Sequence, residues 1–105
     1  MLPPVIQRLI GRILGTPGDS DTGLRREVFE FAARRSDGAS IPQPLRSWVD
    51  LVANHAYRAT DARMDELRQA GYSEGQIFEL TIAAAAGAAE MRERRALAAL
   101  DEALR

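Results

Sequence analysis

The chain has 105 residues, 46% of them apolar and 28% charged, with a formal charge of −1. That is one domain of ordinary globular composition, without the basic field that holds nucleic-acid phosphates. Cysteine and lysine are absent and there is one histidine, which excludes disulfides, thiol nucleophiles, redox dithiols and lysine Schiff bases, and leaves no metal or other cofactor expected.

The N-terminal "MLPPVIQRLIGRILG" carries Arg8 and Arg12 inside its apolar stripe, so it does not read as a signal peptide. The longest apolar run, "TIAAAAGAA", is too short to span a bilayer and is bracketed by Glu79 and Glu90. A cytoplasmic location with no membrane partner is therefore expected. Pro3 and Pro4 suit a helix start, and Val5, Ile6, Leu9, Ile10, Ile13 and Leu14 follow at spacings of three and four.

The turn-rich "GTPGDSDTG" ends that helix. Asp21 or Thr22 can cap a second one through "LRREVFEFAARR", with a stripe of Leu24, Val28, Phe31 and Ala32. "SDGASIPQP" breaks the pattern. A third helix starts between Pro42 and Leu45 and places Trp48, Leu51, Val52, His55, Ala56 and Ala59 on one face. Thr60 caps a short fourth helix, and Gly71 supplies the left-handed residue after it.

"SEGQ", residues 73 to 76, has the form of a capping box and opens the longest helix, reaching towards Leu104. Its first half is apolar nearly all round, which predicts a position in the middle of a bundle or an oligomer. Ala84 with Ala88, or Ala83 with Gly87, would let a neighbouring backbone approach. Beyond Met91, Leu97, Leu100 and Leu104 keep one apolar face while "RERR" reads as a solvated one, with an i,i+4 pair between Glu90 and Arg94. No segment alternates with a strand period. The expected fold is all-α, about five helices in one domain over residues 1–105, with 1–20 as N-terminal helix and linker and 21–105 as the helical core.

The stretch "HAYRATDARMDELRQAGYSEGQIFELTIAAAAGA" resembles the carboxymuconolactone decarboxylase and alkylhydroperoxidase D (AhpD-like) family. The resemblance rests on "LRQAGYSEGQI", Leu67 to Ile77, followed by a long alanine-rich helix, and covers the central third of the chain. It implies an AhpD-like helical bundle and a homo-oligomer. The family's peroxidases carry Cys-x-x-Cys-x-x-x-His on the preceding helix. Those positions fall here on Ala56, Ala59 and Arg63, and the upstream glutamate falls near Pro44. Dithiol peroxidase activity is thereby excluded, and the decarboxylases' histidine near Arg63 is missing too.

Among candidate site residues, His55 is either a buried, hydrogen-bonded core histidine or a general base. Glu79 interrupts "IFELTIA" and is either its orienting carboxylate or half of an ion pair with Arg58 or Arg63. Arg58 and Arg63 could clamp a small carboxylated molecule or form interface ion pairs. Trp48 reads as a core or interface anchor and Tyr57 as a lid at the core edge. Two functions follow as expectations. One is a non-redox, self-associating helical protein with at most a small-molecule pocket. The other is a cofactor-free decarboxylase or isomerase acting on a small carboxylated or lactone substrate.

Overall fold

The computed structural model describes residues 2–105. It is all-helical: α1 (Pro4–Gly15), α2 (Thr22–Ala32), α3 (Leu45–Asn54), a 3-10 turn (Ala56–Arg58), α4 (Asp61–Gln69) and α5 (Glu74–Ala103). Local chemistry fixes most of the starts. Pro4 opens α1, where its missing N–H costs nothing. The Asp21 side chain accepts from the Leu24 N–H, and Thr60 accepts from that of Arg63. Ser73 and Gln76 form the reciprocal capping box at α5, and Gly71, at φ 101°, makes the left-handed step between α4 and α5. Arg68 ties the same corner together by bonding both Asp65 and Glu74.

α5 is the axis of the molecule. Its 30 residues span about 45 Å at 1.5 Å per residue, close to the 51 Å long dimension of the whole chain. α1, α2 and α3 pack around its first half, where Ile77, Leu80, Ala83, Ala84, Gly87, Ala88 and Met91 are buried. α2 comes closest. A Cβ added at Gly87 would strike the Phe29 carbonyl oxygen, so the small-residue run serves packing between backbones inside one chain. Within the one chain this half of α5 is not covered all round: Phe78, Ala85, Ala89 and Arg92 form an exposed strip along the remaining side.

Two elements differ from their sequence reading. In α2 the buried face is Arg25, Val28, Phe29 and Ala32, so Phe29 lies inside while Phe31 is only half-buried. α3 stops at Asn54 rather than running on to Ala59. Arg92, reaching across from α5, donates to the Ala53 carbonyl at 2.6 Å, the acceptor that a continuing helix would give to Tyr57. Arg94 does the same for the Ala33 carbonyl at the end of α2, at 2.8 Å, while also pairing with Glu90 at 2.6 Å. Part of "RERR" therefore satisfies helix ends instead of only facing water.

Candidate functional site

The structure separates the two residues read as a catalytic pair. His55 is the exposed residue at the end of α3, not a member of a buried stripe, because the helix has already ended. Its Nδ1 lies 3.3 Å from the Tyr57 hydroxyl, and the two rings meet edge to face at 5.9 Å. The Arg58 guanidinium lies 5.8 Å from the Tyr57 ring centre. His55, Tyr57 and Arg58 thus form one small surface cluster, with Tyr57 79% exposed. None of the four clefts described below is lined by His55.

Glu79 stands instead under the α1–α2 linker. One carboxylate oxygen accepts the Asp19 N–H at 2.9 Å, and the other accepts the Ser20 N–H at 2.7 Å and the Ser20 hydroxyl at 2.5 Å. Gln76 donates to the Asp19 carbonyl one turn earlier. These bonds hold the Glu79 carboxyl below the usual range, with the Ser20 hydroxyl first, then the two backbone N–H groups, and the nearby Arg25 charge last. Its cationic neighbour is Arg25, not Arg58 or Arg63. Arg25 is buried, donates to the Ile13 and Ser20 carbonyls, and leaves its Nε unbonded 3.9 Å from Glu79. The arrangement fastens α1, the linker, α2 and α5 to one another.

Trp48 is a core anchor. It is buried, and its Nε1 donates to the Thr81 hydroxyl of α5 at 2.9 Å. Arg63 pairs with Glu66 at 3.4 Å on the exposed side of α4. Trp48, Arg63 and Glu66 share a cleft of about 160 Å³ with Pro44, Ser47 and Leu51. Of the anticipated site residues, then, the fold groups His55 with Tyr57 and Arg58, and Trp48 with Arg63, and leaves Glu79 apart from both groups.

The other clefts lie between α2 and α3 (about 270 Å³), beside Ile13, Phe78 and Glu79 (about 220 Å³), and beside Trp48, Met64 and Phe78 (about 290 Å³). All four are open to solvent and fall short of the roughly 300–1,000 Å³ of ordinary ligand sites. Among the described residues no group of three or more acidic or histidine side chains could hold a metal ion, and no helix is long and apolar enough to cross a membrane.

Ser20, Arg25, Arg92 and Arg94, which turn out to organise this architecture, were not singled out by the sequence reading for those roles. One signal existed for Arg25: it interrupts an apolar stripe of α2 just as Glu79 interrupts that of α5. Compared with known proteins, the chain matches no family model, no curated protein and no solved structure.

Proposed function

We propose that this chain is a non-redox, cysteine-free protein of AhpD-like type whose principal property is self-association. The motif from Leu67 to Ile77 and the alanine-rich helix after it support the family reading. The observation that carries self-association is the apolar surface left outside the fold. Val5, Ile6 and Leu9 on α1, with Phe78, Leu97 and Leu100 on α5 and Leu104 at its C-terminal cap, are each 37% to 79% exposed.

Magnitude decides how much weight that surface bears. At roughly 100 Å² for a fully exposed large apolar side chain, seven at just over half exposure present on the order of 400 Å². A standard interface removes roughly 800 Å² from each partner, a little over half of it apolar. Summed, the supply is comparable with that requirement, divided between α1 with the start of α5 and the protruding end of α5.

The alternative, a decarboxylase or isomerase using His55 as base, draws less support from the geometry. Its carboxylate partner is occupied with the linker, and its histidine meets a tyrosine on an open surface. Of the two arginines read as a clamp, only Arg63 lines one of these clefts, the smallest of the four, and there it is paired with Glu66. Sedimentation velocity across a range of concentrations tests the main reading. A weight-average mass rising above that of one chain is expected, and a monomer at every concentration up to the millimolar range would overturn it.

A further inference from the structure

Among the described residues nothing buries the end of α5. Every residue from 95 to 105 is exposed, yet Leu97, Leu100 and Leu104 follow one another at intervals of three and four. Counting back from Leu97 by the same intervals reaches Glu93, Ala89 or Glu90, Ala86 and Ile82. Ala86 is packed against the core and Ile82 lines the cleft shared with Ile13 of α1. The leucine seam thus continues a side of α5 whose earlier part, at Ile82 and Ala86, the chain partly covers itself.

We infer that this seam pairs antiparallel with the same seam of a second copy. The inference rests on the self-association reading and adds the element and its direction. With Leu97 and Leu100 as the a and d positions of a heptad, one flank carries Arg94 and Asp101 and the other Ala96 and Ala103. In an antiparallel pair like flanks face each other, so Arg94 of each copy lies opposite Asp101 of the other, and Ala96 opposite Ala103. That gives two cross-pairs of opposite charge on one side and a small-residue surface for close approach on the other. In a parallel pair each flank faces the opposite one, Asp101 meets alanine, and neither ion pair forms.

Arg94 is prepared for this position. Its bonds to Glu90 and to the Ala33 carbonyl fix the side chain, which remains 42% exposed. Asp101, bonded to Arg105 one turn on, is 70% exposed and able to take a second cation. Three leucines per copy make a small contact, so the pairing is a transient, concentration-dependent one.

The absence of cysteine makes the test clean, because introduced thiols are the only ones present. Ala96→Cys mixed with Ala103→Cys should give a mixed disulfide at least ten times faster than Ala96→Cys mixed with Asp101→Cys, the combination a parallel pair would favour. Alongside this, sedimentation of wild type is compared with Leu97→Asp/Leu100→Asp, whose helix content is checked by circular dichroism. The substituted positions are exposed, so the monomer should fold, and its self-association should weaken at least tenfold. If wild type is monomeric throughout, both readings fall. Wild-type association undiminished by the aspartates would overturn the tail pairing and leave self-association standing. Preferential cross-linking of residues 96 and 101 would overturn the antiparallel direction.

Discussion

α5 is one helix living in two environments. From Ile77 to Met91 its inner face touches protein and carries small and aliphatic residues; from residue 95 onward every position is wet. Alanine is abundant in both halves, so composition does not make the difference. In the first half Gly87 lies against the α2 backbone and Ala83, Ala84 and Ala88 are buried, so smallness at these positions is a packing requirement. In the second the alanines face water, where alanine serves mainly as the best helix former. The protruding end also explains why the radius of gyration, 14.5 Å, exceeds the roughly 13 Å of a compact chain of this length.

Leucine substitutions break this comparison most directly. Leu80 is fully buried against the core, so Leu80→Ala should cost about 3 kcal/mol or more, the sum of lost transfer energy and a residual cavity. Urea unfolding would show it as a lower midpoint at unchanged slope. A loss below about 1 kcal/mol would mean that the inner half of α5 is far looser than its packing indicates.

Glu79→Gln sharpens the comparison by attacking the polar tie that holds the linker to the enclosed half. It weakens charge-assisted bonds to Asp19 and Ser20 and removes the charge facing buried Arg25, for a loss of about 2 kcal/mol at neutral pH. The folded-state pKa of Glu79 is lowered, so its contribution is present above the ordinary glutamate value of about 4.5 and disappears as pH falls through the folded value. The gap between wild type and Glu79→Gln should therefore narrow as the unfolding midpoint is measured from neutral pH downward past that value. A gap constant with pH would remove the carboxylate from this role.

A smaller effect of opposite sign is expected at the end of α2. Arg34 takes a left-handed conformation, φ 60°, in the turn where the Arg35 N–H returns to the Glu30 carbonyl. Glycine adopts that conformation without strain. Arg34→Gly should stabilise by about 0.5 kcal/mol, the relief of strain being partly offset by the lost bond to Asn54. Thermal unfolding would register this as a rise of a few degrees, and a clear fall would mean that the Asn54 bond outweighs the strain.

The helices were legible because their signals are local. Pro4, Asp21, Thr60, Gly71 and the Ser73–Gln76 box each act within a turn of the backbone they cap, and each stands where the sequence places it. The end of α3 was not legible, since it depends on Arg92, which lies 39 residues further along the chain. The partners of Glu79 were hidden for a similar reason. Its interruption of an apolar run marked it as paired, but two of its donors are backbone N–H groups, which carry no residue-specific mark. Arg25 could have been matched to it as the opposite charge in another apolar stripe. The nearer arginines in sequence, Arg58 and Arg63, drew the assignment away.

The smallest expected effect is also the most discriminating. Leu97→Ala removes an exposed side chain and lies on a stretch where alanine is the better helix former. At low micromolar concentration, where a weak dimer is dissociated, its stability should stay within about 0.5 kcal/mol of wild type. At several hundred micromolar the two should diverge. A partner that binds only the folded chain stabilises it by mass action, and wild type has the more complete seam. The measurement is therefore a pair of unfolding midpoints for each protein, one at each concentration. A Leu97→Ala deficit already present in the dilute sample would place Leu97 in contact with its own chain. A deficit that grows with concentration is what a second copy of α5 produces, and it distinguishes a helix end that is merely tolerated in water from one that awaits a partner.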